Sequence, residues 1–168
     1  PINPSEWLKE TLIEGEEIAF FSEKARSEAL IFPILMEIRK LNQRQIAIYS
    51  GADLQGDVTL GLNGECDFIL SKGEQKEEID IPLFCMIEAK DQDIKRAIPQ
   101  CIAQMRGAQL FNEKHKKITP RMWGCVTTGT EWLFLKLEEK VAYIDKKRYY
   151  SNKIEEVLGI FQAIIQDF

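Results

Sequence analysis

The strongest constraint on the fold of this chain is the segment Leu83–Ala89, a nearly continuous apolar run. Glu88 lies near the end of this segment, and Lys90 follows it directly. An apolar run of this length is typical of a strand covered on both faces, which requires a sheet with helices packed against it. Alternate side chains of a strand share a face, so Glu88 and Lys90 project in the same direction. Two charges at the end of a buried strand need a partner or a function.

Hydrophobic periodicity predicts the other elements around this strand. A short helix is predicted at residues 4–14, ending near Gly15, and a longer helix at 22–42 with a kink at Pro33. Further strands are predicted at 45–50, 58–62, 65–70, 122–127, 132–137 and 141–145, with a turn at 51–56 and two later helices at 93–113 and 154–166. This order predicts an α/β or α+β sandwich with a central sheet.

Length and composition narrow the class of protein. The chain has 168 residues, 45% hydrophobic and 29% charged, which predicts one compact domain with its core at 22–145 and a C-terminal helix at about 153–167. The longest apolar run, at 29–36, is too short to span a bilayer, and residues 1–6 lack the basic and apolar regions of a signal peptide. We therefore expect a soluble, cytoplasmic protein with no membrane partner.

The cysteines and the net charge argue against two common classes of site. The four cysteines are far apart, without a C-x-x-C pair and with a single histidine, so they are expected to be reduced core residues and not zinc ligands: Cys66, Cys85, Cys101 and Cys125. The net charge is −5, with 22 basic and 27 acidic residues, and by itself argues against binding to nucleic acid.

Asp67 precedes Glu88 by 21 residues, and the polar loop at 71–78 lies between them. A hairpin about this loop would bring Asp67 alongside Glu88. Two carboxylates near one ammonium are a plausible site for a hard cation, because Mg²⁺ prefers oxygen ligands and keeps waters that substrate phosphates replace. Lys90 could orient or help to deprotonate an attacking water and stabilise charge on a pentacovalent phosphate.

These residues resemble the PD-(D/E)xK nucleases, whose fold is restriction-endonuclease-like. Asp67 matches the first acid of the motif and Glu88-Ala89-Lys90 matches the E-x-K tripeptide. The resemblance covers about 27–137. Within the family, this segment is similar to the N-terminal nuclease domain of type I restriction enzyme R subunits. There, a glutamate on the first helix can join the metal site, as Glu28 would here. Gln100 is similar to the glutamine that faces the active site in many members.

The resemblance implies a three-layer α/β sandwich with a central mixed sheet and a metal-dependent endonuclease that hydrolyses DNA. It implies Mg²⁺, or alternatively Mn²⁺, held by Asp67 and Glu88, with the carbonyl of Ala89 as a candidate third ligand. The implied catalytic set is Asp67, Glu88, Lys90, Glu28 and Gln100. Cys66 stands where the family name has proline, and no tyrosine follows Gln100 in the Q-x-x-x-Y pattern of the recombination-type nucleases.

Several alternatives stay open at this stage. Asp57 is a rival first acid, although it follows Gly56 in a turn-like segment. Glu28 lies three residues after Ala25 and four before Phe32, so it is predicted to share their face instead of pointing to water. It could pair with Lys24 or Arg26, and Gln100 could pack its helix on the sheet. The same fold could also serve as a noncatalytic nucleic-acid-binding or assembly module of a restriction or repair system.

The acidic balance predicts weak, metal-dependent binding of DNA by the isolated domain, since a bound ion offsets part of the carboxylate charge. The best candidate patches for the nucleic-acid backbone are the lysines at 114–117 and the basic residues at 146–148. A homodimer would suit cleavage of both strands, and the apolar residues of the helix at 154–166 are expected to leave surface for it.

Overall fold

The computed structural model describes residues 1–55 and 63–168. In these ranges seven strands form one mixed sheet with the order β1-β2-β3-β4-β5-β6, and β7 pairs with β5. The strands are β1 Ile46–Gln55, β2 Asn63–Lys72, β3 Leu83–Ala89, β4 Arg121–Thr127, β5 Glu131–Glu138, β6 Val141–Ile144 and β7 Tyr149–Tyr150. The predicted α/β architecture, a central mixed sheet flanked by helices, is confirmed.

In the part of the chain that the structure describes, five α-helices accompany the sheet: α1 Glu6–Ala19, α2 Glu23–Arg26, α3 Phe32–Leu41, α4 Ile98–Lys114 and α5 Ile154–Asp167. A π-helical turn at Ser27–Ile31 joins α2 to α3, and 3₁₀ turns at Ile94–Ala97 and Ser151–Lys153 precede α4 and α5. Within the described ranges, none of the helices combines the length and the apolar character needed to cross a membrane.

β3 is the central strand, as its composition predicts. All seven of its residues are buried. It pairs antiparallel with β2 on one side and parallel with β4 on the other. A strand with neighbours on both edges and helices on both faces has no solvent-facing side, which is why its sequence does not alternate.

Two hydrophobic cores lie on opposite faces of the sheet. One core is formed with α1, α3 and α5 and includes Leu8, Leu35 and Phe161. The other is formed with α4 and includes Met105. The apolar residues of α5 pack into the first core, so the expectation that they leave free surface for a dimer contact is wrong: Ile154, Val157, Leu158, Phe161, Ile164 and Ile165.

α1 continues through Gly15, so the predicted end near this residue is wrong. Gly15 is buried where α1 meets the π-helical turn, and a Cβ atom there would lie 2.4 Å from the carbonyl oxygen of Ala29. The glycine therefore serves a close approach between two helical segments and does not terminate the helix.

β1 is also longer than predicted, because it extends through residues 51–55, where a turn was expected. Ala52 pairs with Cys66 and Leu54 pairs with Gly64, so β2 supplies the partners for this extension. Gly51 has a positive φ of 60° within the strand. The predicted strand at 58–62 and the rival acid Asp57 lie outside the described residues.

Candidate active site

The pairing of β2 with β3 brings Asp67 next to Glu88. Phe68 pairs with Ile87, so the same antiparallel register sets Asp67 opposite Glu88. Asp67 also bonds to the backbone of the facing strand, because its Oδ2 accepts a hydrogen bond of 2.8 Å from the N–H of Ala89. The hairpin spacing of the sequence therefore predicts this juxtaposition correctly.

Glu88 is buried, with 2% of its surface exposed, and both of its carboxylate oxygens have partners. Oε1 lies 3.1 Å from the Nζ of Lys90, which is two residues further along the chain on the same face. Oε2 accepts a hydrogen bond of 2.9 Å from the Nε2 of Gln104 on α4. Both bonds hold the carboxylate in one orientation beside Asp67.

The charges of this cluster act strongly on one another. Burial raises the pKa of Glu88, and the negative charge of Asp67 raises it further, while the bonds from Gln104 and Lys90 oppose this shift. The pKa of the nearby Cys66 thiol is raised to about 12 by burial and by the charges of Glu88 and Asp67. The electrostatic potential at the site is therefore negative.

Lys90 remains protonated in this field. Its partial burial acts to lower its pKa, but the bond to Glu88 and the charges of Glu88, Glu23 and Asp67 outweigh burial and raise it. A lysine whose pKa is raised is a hydrogen-bond donor at neutral pH and a poor proton acceptor.

The backbone positions Lys90 at the ends of two parallel strands. The N–H of Lys90 donates a 2.9 Å hydrogen bond to the carbonyl oxygen of Thr127, the last residue of β4. Thr127 in turn donates its hydroxyl to the carbonyl of Glu131 and accepts from the N–H of Gly129, which fixes the β4–β5 turn. Lys90 thus lies at the carboxyl ends of β3 and β4, the edge of an α/β sheet where ligands commonly bind.

A cavity of about 420 Å³ opens beside Asp67, between the helical segment that contains Glu28 and the first two strands. Four carboxylates line it, those of Glu23, Glu28, Glu65 and Asp67, together with the ammonium of Lys24. The other lining residues are small or aromatic: Ser27, Ser50, Gly51 and Phe68. The cavity is therefore acidic, and it suits a cation better than a bare anion.

Glu28 lines this cavity. Its sequence position predicts that it is turned away from solvent, and this prediction is wrong. Its side chain is 69% exposed, and its Oε1 lies 3.8 Å from the Nζ of Lys24. The face that it shares with Phe32 is itself incompletely covered, since Phe32 is 37% exposed. Lys24 is thus the partner of Glu28, whereas Arg26 donates to the carbonyl of Thr128.

On α4, the glutamine that contacts Glu88 is Gln104, whereas Gln100 is exposed. The two residues are one helical turn apart and share a face, so the sequence signal for Gln104 was its spacing from Gln100. The Oε1 of Gln104 is buried and has no hydrogen-bond partner among the described residues. This oxygen is an unused acceptor next to Glu88.

The first predicted basic patch lies apart from this cluster, whereas side chains of the second are paired with carboxylates. The lysines at 114–117 precede β4, at the end of that strand opposite to Thr127. In the second patch Lys147 is bonded to Glu156 and Arg148 is bonded to Glu131. Charges that are paired within the protein contribute less to phosphate binding.

Asp67 and Glu88 are the candidate ligands for a magnesium ion. In 1–55 and 63–168 there is no group of three or more His, Cys, Asp or Glu side chains that could hold a metal ion. Mg²⁺ does not require such a cage, because it is usually bound by one or two carboxylates together with waters and substrate phosphates. Asp67 and Glu88 supply two facing carboxylates whose mutual repulsion a cation would relieve.

Comparison of the chain with models of known protein families, with curated proteins and with solved structures finds no match. The function is therefore inferred from the chain's own residues.

Proposed function

We propose that this chain is a metal-dependent phosphodiesterase of the PD-(D/E)xK type that hydrolyses DNA. The observation that carries the proposal is the cluster of Asp67, in the middle of β2, with Glu88 and Lys90 at the carboxyl end of β3. The buried central strand, the mixed sheet and the helices on both faces are compatible with a restriction-endonuclease-like fold.

Asp67 and Glu88 would hold the metal, and the acidic cavity beside them would favour its entry. A bound Mg²⁺ supplies Lewis-acid stabilisation of charge on the phosphate and lowers the pKa of a coordinated water. The bonds from Ala89, Lys90 and Gln104 orient the two carboxylates before any ion arrives. Such preorganisation reduces the reorganisation that binding would require.

The role of Lys90 follows from its charge. Because its ammonium stays protonated, it is suited to donate hydrogen bonds to the attacking water or to the developing negative charge on the phosphate. This supports the orienting and electrostatic part of the role expected from the sequence.

Glu28 and Gln104 would assist the two proposed metal ligands, Asp67 and Glu88. Glu28 lines the same cavity as Asp67, so it can approach a metal or a metal-bound water through the cavity. Gln104 positions Glu88 by its hydrogen bond. Gln100, one turn earlier and exposed, could contact the substrate but makes no hydrogen bond to Glu88.

Cleavage in the presence of Mg²⁺ tests this function most directly. Wild type should cut labelled DNA, and Lys90→Ala should lower kcat by at least 10²-fold, as expected when a group that stabilises transition-state charge is removed. Lys95→Ala is the matched control, since Lys95 is exposed on the following 3₁₀ turn. Equal activity of wild type and Lys90→Ala would exclude the mechanism.

A noncatalytic nucleic-acid-binding or assembly module is the second candidate. The observation that favours it is that both oxygens of Glu88 are already occupied by Lys90 and Gln104, so the carboxylate is satisfied without an ion. This candidate predicts a gel shift of DNA without cleavage in Mg²⁺. It also predicts that Asp67→Asn leaves that shift unchanged.

A further inference from the structure

Two consecutive phenylalanines lie exposed beside the candidate active site. Phe20 is 77% exposed and Phe21 is 91% exposed, in the turn that connects α1 to α2. Single apolar residues on a surface are ordinary, but two exposed aromatic residues in one turn offer apolar surface that a partner can cover.

A chain of contacts connects these rings to Lys90. The guanidinium of Arg26 lies 5.6 Å from the centre of the Phe20 ring. The Nη1 of Arg26 donates a 3.2 Å hydrogen bond to the carbonyl of Thr128, and the neighbouring Thr127 accepts from the N–H of Lys90. Phe20, Arg26 and Lys90 therefore lie around the carboxyl end of β4, and we call these residues, the adjoining α2 and Glu28 the rim.

The turn also borders the acidic cavity. Glu23, two residues after Phe21, lines that cavity together with Asp67. The rim carries both signs of charge, since Lys24, Arg26 and Lys90 alternate with Glu23 and Glu28. Phosphate contacts alone would be weak here, whereas the flat face of an aromatic ring stacks on a nucleobase with little dependence on charge.

We propose that Phe20 and Phe21 form a stacking platform for unpaired nucleobases, and that the substrate is single-stranded nucleic acid or the single-stranded end of a duplex. This inference rests on the proposed function, because it names the substrate class of the same site. Bases inside a duplex are stacked on each other, so a surface ring reaches only the face of an unpaired or terminal base. The Arg26 guanidinium, 5.6 Å from the centre of the Phe20 ring, supplies a positive charge beside the platform.

The platform is tested by binding without cleavage. Fluorescence anisotropy should be measured with Ca²⁺ in place of Mg²⁺, because DNA binding is expected to depend on a metal, and gel analysis should show that the probe stays intact. The probes are a labelled single-stranded oligothymidine of about 16 nucleotides, the upper range of a typical single-strand site, and a blunt hairpin duplex. The variants are Phe20→Ala/Phe21→Ala and, as control, Ile118→Ala. Ile118 is 82% exposed and lies before β4, at the end of that strand opposite to Thr127.

We expect wild type to bind the single strand more tightly than the duplex. The double phenylalanine variant should lose about tenfold in affinity for the single strand, which corresponds to about 1.4 kcal/mol. The Ile118 variant should bind as wild type does. A double variant that keeps the wild-type affinity overturns the platform, as does a wild type that prefers the duplex or binds neither nucleic acid, which would assign the rings to a protein partner.

Cleavage in Mg²⁺ separates this inference from the proposed function. If wild type cuts the single strand and the double variant cuts it equally well at low substrate concentration, the platform is overturned and the nuclease stands. If wild type binds the single strand through the two rings but cuts nothing, the nuclease is overturned and the platform stands. Reduced kcat/KM on single strands with unchanged kcat supports both.

Discussion

The Nε2 of Gln104 lies 2.9 Å from the Oε2 of Glu88 and links helix α4 to the carboxylate cluster on the sheet. This bond favours the ionised form of Glu88 and opposes the effects of burial and of Asp67. It makes Gln104 a positioning residue for the proposed metal ligand.

Replacement of Gln104 should change the pH dependence of activity. In Gln104→Ala the pKa of Glu88 rises further, so the acidic limb of the pH profile of kcat/KM should move to higher pH. Activity below that limb should fall about tenfold, since a hydrogen bond to a charged group contributes about 1.5–3 kcal/mol. Gln100→Ala is the matched control and should keep the wild-type profile. A uniform loss at every pH would contradict this positioning role.

The raised pKa of Glu88 should also appear in the stability of the metal-free protein. Between the unfolded and the folded pKa the native state binds more protons, so the free energy of unfolding decreases as pH rises through this window. In EDTA, Glu88→Gln should therefore flatten the pH dependence and unfold at a higher urea concentration than wild type at pH 7. Urea titrations from pH 4 to pH 8 measure this. A variant less stable than wild type at pH 7 would show that the ion pair with Lys90 dominates.

Addition of Mg²⁺ or Mn²⁺ should stabilise the folded chain. A ligand at ten times its Kd contributes about 1.4 kcal/mol to the free energy of unfolding, because it binds only the native state. Thermal unfolding should shift upward with metal in wild type but not in Asp67→Asn, in which one of the two facing carboxylates is removed. Calorimetric titration with Ca²⁺, Mn²⁺ and Mg²⁺ gives the affinity directly. An equal shift in both proteins would indicate that the ion binds elsewhere.

Asn112 should be important for stability and not for activity. Its fully buried side chain donates to the carbonyl of Leu83 at 2.8 Å and accepts from the N–H of Leu83 at 2.9 Å, so α4 completes the backbone bonds at the start of β3. Asn112→Ala leaves both backbone groups buried without partners, and we expect a loss of about 2–5 kcal/mol in urea unfolding. Asn152→Ala, at an exposed position, should cost less than about 0.5 kcal/mol.

Gly15→Ala should destabilise the protein although alanine is the better helix former. In an exposed helix the change would gain about 1 kcal/mol, but here the new Cβ would lie 2.4 Å from the backbone oxygen of Ala29. The contact forces α1 away from the turn that carries Glu28, so Tm should fall. Glu16→Ala, at the next and exposed position, is the control and should change Tm little. An unchanged Tm in Gly15→Ala would mean that the two segments separate at no cost.

Patterns that depend on near neighbours in sequence predict their elements well. Leu83–Ala89 is a strand with the bounds expected from its apolar composition, because a run that excludes water on both faces needs no information about its partners. The pairing of Asp67 with Glu88 is predicted for a related reason, since a hairpin connects residues through a short polar loop and its register follows from the spacing.

Side chains whose surroundings come from distant segments are predicted less well. Glu28 has the spacing of a half-buried residue, but its exposure depends on how completely strands and helices far along the chain cover that face. Gln100 and Gln104 have the same spacing to the sheet-facing stripe, and only the seating of α4 against β3 determines that Gln104 bonds to Glu88.

By itself, the sequence determined the central buried strand, the two facing carboxylates with their lysine, and the alternation of helices and strands, because each follows from local periodicity and chain connectivity. The folded arrangement sets the length of α1 and β1, the glutamine that holds Glu88, the acidic cavity next to Asp67, and the exposure of Phe20 and Phe21. These features depend on contacts between segments far apart in the chain, where packing and the dielectric surroundings of a charge are set by the whole fold.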